Sequence, residues 1–356
     1  MKLNLAIIGQ GRSGRDIHGL YYIGEANKYY NVKYVVEADE SRREKAKTRY
    51  EGCQILATYQ ELFDKNDIDL VVNASYSEQH YQITKELLEN GKNVLCEKPF
   101  CRNRFEGEDL IRIAKEKGLL LAVFQQTFFA PFVKFAYELI KSGKLGDIKQ
   151  INIRYNNFAR RWDWQTLQKK LAGSLYNTGP HPIGLALGFL DFDKDAKLAF
   201  SKLDTAITSG DGEDYAKLIF VAPNKPVVDV EMHSIDGYCD YNLHILGTKG
   251  NLKSTPGAYK MKYIVDGENP ERPVIETSLS NAEGNPMYCG ERLNWHEEEG
   301  TFGGNAFDTG TAKIYEDIYN VLTGNKKELY VTPQMAVEIT AAIDKAHVDN
   351  PLPRKF

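Results

Sequence analysis

The sequence predicts an α/β protein in two parts: a doubly wound parallel sheet, then an α+β domain on a large open, mostly antiparallel sheet. Over the first 125 or so residues, short apolar runs alternate with amphipathic stretches, which is typical of a parallel sheet with crossover helices. Beyond that point the apolar runs lengthen, gain Tyr and β-branched residues, and are separated by turn-like pairs, which favours antiparallel pairing. The length of 356 residues suits two domains at about 150 residues each.

The first part contains five predicted strands, each a short run rich in Val, Ile and Leu. They are Leu3–Ile8, Val32–Val36, Leu70–Ala74, Val94–Cys96 and Leu119–Phe124. Helices are predicted between them at 58–64, with a capping box of Thr58 and Glu61, and at 78–89 and 105–117, each followed by a glycine.

The second part begins with a predicted helix over 131–141 and ends with two more over 309–322 and 333–347, the last with Thr332 as N-cap. Strands are predicted between them at 148–155, 215–221, 227–233, 241–246 and 252–254, and a long loop at 266–304. The predicted domains are therefore 1–125 and 126–356. The helix over 333–347 is expected to pack back on the first domain.

Composition excludes several classes of protein. Charged residues are 26%, apolar residues 42% and the net charge is −4, which argues against disorder and against nucleic acid as a partner. No apolar run approaches the roughly 18 residues of a membrane span, and no export signal is recognised at the N-terminus. Five cysteines without a C-x-x-C pair favour a cytoplasmic location, and no spacing of metal ligands is recognised.

A glycine pattern follows the first strand directly: Gly9, Gly11 and Gly14 form G-x-G-x-x-G. The first glycine permits a tight turn, the second lets the backbone approach a pyrophosphate, and the third lets helix and strand pack closely. At a strand-to-helix junction this pattern predicts a dinucleotide-binding Rossmann domain, with Arg12 and Ser13 also at the cofactor.

The acid that binds the adenosine ribose is expected after the second strand. Asp39 lies in the predicted position and favours NAD, since a carboxylate repels a 2′-phosphate. Arg43, with its neighbours Ser41 and Arg42, could instead receive that phosphate, so NADP is the less favoured alternative. Glu37 is a rival for the ribose because boundaries inferred from sequence drift by about two to four residues.

A second signature, Glu97-Lys98-Pro99, places a lysine at the carboxyl end of a parallel strand, where open α/β sheets bind ligands. Together with the glycine pattern, the strand at 68–75 and the helix of His80, the sequence resembles the Gfo/Idh/MocA family of oxidoreductases. The resemblance continues through 142–148, 173–181 and 246–252, and so covers most of the chain.

The resemblance implies a substrate held between the two domains, beside the nicotinamide. It implies a catalytic lysine and a D-x-x-x-H pair, which Lys98 and His181 match, whereas Asn177 stands at the aspartate position. We expect His181 to act as the base, because the pKa of an unperturbed imidazole is about 6.5. Lys98 is expected to donate to the substrate oxygen and Asn177 to orient its neighbours. Further cofactor contacts are assigned to Ser75, Tyr76, His80, Glu97, Lys98 and Gln125.

Aromatic and cationic side chains are concentrated in the segment 155–164, which precedes the pair of Asn177 and His181. Stacking rings and polar groups suit a sugar, so Arg160, Arg161, Trp162 and Trp164 are assigned to the substrate, with Tyr176, Lys98, Asn177 and His181. An ordinary surface loop is the alternative, and the two arginines could also bind a carboxylate or phosphate.

The predicted function is an NAD(P)-dependent oxidoreductase acting on the hydroxyl of a sugar, polyol or sugar acid. An NAD-dependent glycoside hydrolase, which oxidises a hydroxyl transiently, is one alternative, and a non-catalytic nucleotide-binding regulator is another. A homodimer or homotetramer through the C-terminal sheet is expected, because an open sheet face favours burial against another subunit.

Overall fold

The computed structural model describes residues 2–356 and contains two sheets. One has six parallel strands in the order β3-β2-β1-β4-β5-β6, and the other has eight strands in the order β14-β13-β12-β11-β7-β10-β9-β8. In the larger sheet only β7 and β10 pair in parallel. The predicted fold class, a doubly wound sheet followed by a mostly antiparallel one, is confirmed.

The six parallel strands are short and apolar. They are β1 (Leu3–Ile8), β2 (Tyr30–Val36), β3 (Gln54–Leu56), β4 (Leu70–Asn73), β5 (Val94–Cys96) and β6 (Leu121–Val123). Five of them were predicted; β3 was not, because it has three residues of which Gln54 is exposed. The central strands are buried on both faces, so they lack the alternation of a half-exposed strand.

The helices of this part lie between the strands. A helical segment begins as a π-helix at Ser13–His18 and continues as α1 (Gly19–Ile23); α2 (Glu40–Arg49), α3 (His80–Glu89) and α4 (Arg104–Lys117) follow. The predicted capping box of Thr58 and Glu61 is present, on a short 3₁₀ helix at Tyr59–Leu62. Helix α2 was missed because Ala46 is its one buried residue, so the segment shows no apolar period.

The eight strands of the second sheet are β7 (Ile148–Arg154), β8 (Lys197–Asp204), β9 (Tyr215–Val221), β10 (Val227–His233), β11 (Leu243–Gly247), β12 (Gly250–Ser254), β13 (Ala258–Tyr263) and β14 (His296–Thr301). The predicted loop over 266–304 is therefore wrong at its end, where β14 pairs with β13. The edge strands β8 and β14 and the strand β13 beside β14 were missed because each buries at most one residue and so shows no apolar run.

Five helices belong to the second part: α5 (Pro131–Lys141), α6 (Ser174–Asn177), α7 (Pro180–Phe189), α8 (Thr311–Leu322) and α9 (Pro333–Asp349). Thr332 caps α9 as predicted, accepting a hydrogen bond from the backbone N–H of Met335. Helix α8 packs on the parallel sheet through Ile314, Tyr315 and Ile318.

The last helix, α9, belongs to both cores. Its residues Ala336 and Val337 lie in the cluster under the parallel sheet, while Ile339 and Ile343 lie in the cluster under the antiparallel sheet. The helix therefore packs against the first part as well as the second. The division of the chain at residue 125 stays a prediction. It separates the strands of the two sheets, but α8 and α9, which follow it in the sequence, pack against the first part.

Candidate functional site

A cavity of about 970 Å³ lies where the two parts meet. From the first part it is lined by the carboxyl ends of the parallel strands, at Ile8, Val36, Ala74 and Glu97. The second part lines it with residues that follow β7 and that lie around the start of α7: Tyr155, Arg161, Asp163, Trp164, Gln165, Asn177, Thr178 and His181. This is the edge of a doubly wound sheet at which ligands bind.

The glycine turn forms one end of the cavity. Gly9 has a φ of +90°, and a Cβ there would meet the carbonyl oxygen of Ala74 at 2.5 Å. A Cβ on Gly14 would meet the carbonyl oxygen of Gly9 at 1.9 Å, whereas nothing lies within 4 Å of a Cβ built on Gly11. Gly11 therefore leaves open space at a helix N-terminus, which fits an approaching pyrophosphate. Arg12 and Ser13 line the same end.

The acid that faces the cavity after β2 is Glu37. Its carboxylate is buried and accepts hydrogen bonds from the backbone N–H groups of Gln10 at 2.7 Å and Asp39 at 2.9 Å. The side chain of Asp39 instead caps α2 by accepting from the N–H of Arg42, and it does not line the cavity. Arg43 also lies outside the lining, with its guanidinium on the carbonyl oxygens of Glu37 and Ala38.

Ser75, Tyr76 and His80 line the cavity after β4. His80 is buried, with Nδ1 2.6 Å from the carbonyl oxygen of Pro99 and Nε2 3.2 Å from that of Ser75. Burial lowers the pKa of His80 despite these contacts. A neutral ring has one N–H and so donates to only one of the two carbonyls; either bond ties His80 to the segment that follows a parallel strand.

Glu97 is buried beneath the site and anchored by His18. Its Oε1 lies 3.1 Å from His18 Nε2, and His18 Nδ1 lies 2.6 Å from the hydroxyl of Tyr315. Burial alone raises the pKa of Glu97, but the hydrogen bond and charge of His18, with the charge of Lys98, hold it at about 2. Glu97 is therefore a fixed negative charge next to Lys98.

Lys98 reaches across to the second part of the chain. Its Nζ donates to the backbone carbonyl oxygen of Asn177 at 2.7 Å. Burial lowers the pKa of Lys98, the charge of Glu97 opposes that shift, and the charges of Arg12 and Arg161 add to it. The peptide bond between Lys98 and Pro99 is cis. The ammonium group thus lies at the junction of the two parts, and its lowered pKa means that it releases its proton more readily than an exposed lysine does.

His181 stands in the first turn of α7, and its Nδ1 lies 2.8 Å from the hydroxyl of Thr127. Burial, with a further contribution from the charge of Lys98, lowers the pKa of His181 to about 3. The ring is therefore a neutral imidazole at ordinary pH. Asn177 makes no hydrogen bond with this ring; the Asn177 Oδ1 accepts from Gln165 Nε2 at 3.1 Å.

Arg161 belongs to the same network. Its guanidinium pairs with the carboxylate of Asp163 at 2.8 Å and donates to Gln165 Oε1. Through Gln165, the segment 161–165 is connected to Asn177 and so to the helix that carries His181. Arg161 lines the cavity, and its positive charge is paired with the carboxylate of Asp163.

The aromatic and remaining predicted residues divide between the cavity and other places. Trp164 lines the cavity and packs edge-on against Tyr76, with ring centroids 5.0 Å apart. Trp162 is 77% exposed, and Arg160 is exposed as well; neither lines the cavity. The ring of Tyr176 stacks on His347 in the core. Gln125 is buried outside the lining, and its neighbour Gln126 takes the lining position.

Several lining residues were missed in the sequence: Gln126, Gln165, Thr178 and Phe307, with Tyr155 seen only as part of an aromatic segment. Thr127 was also missed. The polar side chain of Gln126 is 2% exposed and its Oε1 has no hydrogen-bond partner among residues 2–356. An unpaired buried acceptor at a cavity wall suits a ligand that donates. These residues repeat no spacing, so no sequence signal identifies them.

The geometry fits a dinucleotide: a glycine turn with open space at a helix N-terminus, a buried acid after β2, and an unpaired acceptor on Gln126, which lines the same cavity as Lys98. Within residues 2–356 no cluster of three or more His, Cys, Asp or Glu side chains has the arrangement of a metal site. In the same residues no helix has the length and hydropathy to cross a membrane.

Two family models match the sequence. One, described as an oxidoreductase family with an NAD-binding Rossmann fold, matches residues 3–125. The other, described as the GFO/IDH/MocA C-terminal domain, matches residues 133–253. The two matches follow each other along the chain and cover the parallel sheet and the second sheet as far as β12; β13 and β14 lie beyond them.

Curated relatives are similar over part of their length. An uncharacterized oxidoreductase of Schizosaccharomyces pombe is 28% identical over 187 residues, 52% of this chain and 51% of the relative. The scyllo-inositol 2-dehydrogenase (NADP(+)) IolW of Bacillus subtilis is 29% identical over 196 residues, 54% of this chain and 53% of the relative. The chain thus matches about half the length of these relatives.

Solved structures share the whole architecture. The oxidoreductase yvaA from Bacillus subtilis has a TM-score of 0.78 at 20% identity, covering 98% of this chain and 95% of that one. GenD2 from gentamicin A biosynthesis, solved in complex with NAD, has a TM-score of 0.75 at 19% identity, covering 98% and 93%. At these identities the likeness shows the fold alone.

Proposed function

Because the chain belongs to the Gfo/Idh/MocA family of oxidoreductases, we propose that it transfers a hydride between a nicotinamide dinucleotide and the carbinol carbon of a sugar or polyol. The observation that carries the proposal is the meeting of Lys98 and His181, 83 positions apart, in one cavity whose far end is the glycine turn. The nicotinamide, when bound, supplies the hydride acceptor or donor, and the protein supplies position and proton handling.

The cofactor is held by residues of the first part. The turn from Gly9 to Gly14, with Arg12 and Ser13, suits the pyrophosphate, and Glu37 suits the ribose hydroxyls. Ser75 and Tyr76 of the first part suit the nicotinamide end, together with Gln126, because they line the same cavity as Lys98. A buried carboxylate at Glu37 disfavours a 2′-phosphate, so we propose NAD as the preferred cofactor. Arg42, 3.9 Å from Glu37, supports residual use of NADP.

Lys98 exchanges the hydroxyl proton in this proposal. A base works best when its pKa lies near the working pH, and the lowered pKa of Lys98 moves toward that range. The pKa of His181, about 3, makes its imidazole a weak base but a good neutral hydrogen-bond partner. This division differs from the sequence-based expectation that His181 is the base and Lys98 the donor.

Asn177 orients the reacting groups. It holds Lys98 by its backbone carbonyl and receives the amide of Gln165 on its side-chain oxygen. Its side-chain NH₂ has no hydrogen-bond partner among residues 2–356 and can donate to a substrate oxygen. An aspartate in this position would lack that donor.

The substrate class is a neutral polyhydroxy compound. Trp164 and Tyr76 offer ring surface to C–H groups, while Asn177, His181 and Lys98 offer polar contacts to hydroxyls. The charge of Arg161 is already paired with Asp163, which favours an uncharged substrate over a phosphate or carboxylate. The name of the IolW relative, an inositol dehydrogenase, supports cyclic polyols as the first compounds to assay.

The assay that tests the function follows NADH or NADPH absorbance across a panel of inositols, hexoses and sugar acids with either cofactor. We expect turnover with at least one neutral member, faster with NAD, and loss of turnover in Lys98→Met with NADH binding retained. Aryl glycosides without added cofactor form the control. Release of the aryl group without net NADH would replace the dehydrogenase with the hydrolase alternative, and NADH binding with no turnover on any member would favour the regulator.

A homo-oligomer through the outer face of the antiparallel sheet is part of the proposal. On that face Arg154 and Lys217 pair with Asp229 and Glu231 at distances of 2.6–3.1 Å. The four charges cancel, which lowers the cost of burying the face against a second copy. Light scattering on the purified protein measures the mass directly. We also propose a cytoplasmic location, supported by five free cysteines.

A further inference from the structure

Thr127 is a polar side chain whose contact points to a role in the site. It lies in the one-turn 3₁₀ helix at Gln126–Phe129, directly after the last parallel strand. The residue is 5% exposed, and its hydroxyl lies 2.8 Å from Nδ1 of His181. Among residues 2–356 this ring nitrogen is the hydroxyl's one hydrogen-bond partner. The contact joins the junction of the two parts to the first turn of α7.

A neutral imidazole carries one N–H, and a hydroxyl can either donate or accept, so the contact alone allows two arrangements. If Thr127 donates to Nδ1, the proton is on Nε2. If Thr127 accepts from Nδ1–H, then Nε2 presents a lone pair to the cavity. Which arrangement holds decides whether His181 offers the substrate a donor or an acceptor.

The charges around the ring favour the second arrangement. Nε2 has no hydrogen-bond partner among the described residues, and the cavity that His181 lines is also lined by Lys98, whose positive charge acts on the ring. A positive charge attracts a lone pair and repels an N–H dipole. Turning the ring N–H toward Thr127 and the lone pair toward the cavity is therefore the arrangement of lower energy.

The donors and acceptors of Lys98 and Asn177 also favour a proton on Nδ1 of His181. Lys98 as an ammonium group has only donors, and the side-chain oxygen of Asn177 already accepts from Gln165. While Lys98 carries its proton, a proton on Nε2 of His181 would leave a substrate hydroxyl with three donors, from Lys98, Asn177 and His181, and no acceptor. The lone pair of Nε2 supplies that acceptor.

We propose that Thr127 is a positioning residue that fixes the tautomer of His181, with Nδ1 protonated and Nε2 free to accept from a substrate hydroxyl. Thr127 thereby orients the ring in place of the aspartate that the family resemblance implies, because Asn177 stands at that position and makes no hydrogen bond to the ring. The proposal rests on the proposed use of this cavity, but its test needs neither substrate nor turnover.

The test is NMR of the protein labelled with a heavy nitrogen isotope in its histidine rings, at pH 7 and without ligands. The chain has seven histidines, and the signals of His181 are identified by their absence in His181→Gln. In the native protein and in Thr127→Ser we expect a protonated Nδ1 and an unprotonated Nε2. In Thr127→Val, which keeps the shape and removes the acceptor, we expect the ratio of the two tautomers to shift about fivefold toward Nε2–H, the change expected for one neutral hydrogen bond.

A proton on Nε2 in the native protein, or an unchanged tautomer ratio in Thr127→Val, would overturn the proposal. A purely structural role of Thr127 would lower the melting temperature of Thr127→Val without moving the tautomer. If Thr127→Val does not fold, the native and Thr127→Ser spectra decide. Failure of the substrate panel with the expected tautomer present would reject the proposed activity and leave this assignment intact.

Discussion

The ammonium nitrogen of Lys98 lies 2.7 Å from the backbone carbonyl oxygen of Asn177. One residue follows a strand of the parallel sheet and the other ends a short helix of the second part. The bond sets the distance between the lysine and the helix that carries His181. Lys98 is thereby positioned without a side-chain carboxylate from residue 177.

Replacing Lys98 with arginine keeps a positive charge but removes an amine whose pKa is lowered by burial, because a guanidinium does not release its proton. We expect kcat/KM to fall by about 10²- to 10⁴-fold, the range for loss of general acid-base catalysis, with NADH affinity within about threefold of the native value. Steady-state kinetics and NADH fluorescence titration measure the two. Lys345→Arg, at an exposed pair with Asp349, is the matched control and should retain full activity.

The pH profile distinguishes Lys98 from His181 as the proton acceptor. Burial lowers the pKa of Lys98 from its usual value of about 10.4, so kcat/KM for alcohol oxidation should rise with pH through a pKa below that value. The same rise should remain in His181→Gln, although at a lower rate. Loss of the rise in His181→Gln would return the role of base to His181.

The neutral state of His181 also affects stability. Its pKa is about 3 in the folded protein and about 6.5 when unfolded, so between these values the unfolded chain binds more protons. Stability therefore falls as the pH drops below 6.5, by about 2 kcal/mol from this group at pH 5. Urea unfolding at pH 7 and pH 5 should show a smaller loss in His181→Gln, and an equal loss in both proteins would contradict the lowered pKa.

Glu37 and Asp39 form a matched pair for cofactor choice. In Glu37→Gln the repulsion of a 2′-phosphate disappears, and we expect the ratio of NAD to NADP affinity to fall about tenfold. In Asp39→Ala the cap of α2 is lost, which costs about 1 kcal/mol of stability, while the cofactor ratio stays unchanged. Calorimetric titration with both cofactors measures the ratios; a change confined to Asp39→Ala would identify Asp39 as the ribose acid.

Two glycines of the same turn should respond differently to alanine. A Cβ on Gly14 meets the carbonyl oxygen of Gly9 at 1.9 Å, so Gly14→Ala should lose about 3 kcal/mol or more of stability. Gly11→Ala meets no protein atom within 4 Å and should melt like the native protein, yet bind NADH at least about tenfold more weakly. Thermal melts and NADH titration separate these outcomes; equal melting temperatures for the two variants would contradict the packing role of Gly14.

The sequence indicates the fold where burial leaves a pattern. Strand β1 is apolar and buried at most positions, so its run stands out, and the glycines that follow it have fixed spacing. Strand β14 has the sequence HEEEGT and is stabilised by its pairing with β13, where Lys262 meets Glu297. Such a strand shows no apolar period, because its stability comes from a neighbour distant in the sequence.

The residues of the site also fall into those that the sequence indicates and those that only the fold brings together. Lys98 and His181 stand in short motifs that a family resemblance identifies. Thr127 and Gln165 act through hydrogen bonds with side chains that the fold brings near. Of the two neighbouring acids Glu37 and Asp39, Glu37 turns toward the cavity. Which of two neighbouring acids faces a ligand depends on where a strand ends, and sequence patterns place that end to within a few residues.

Helix α9 has a consequence for unfolding. Since its residues Val337 and Ile343 are buried in different cores, neither core can lose its packing without exposing apolar surface of the helix. The two parts should therefore melt as one cooperative unit, with equal calorimetric and van't Hoff enthalpies, in spite of the two sheets.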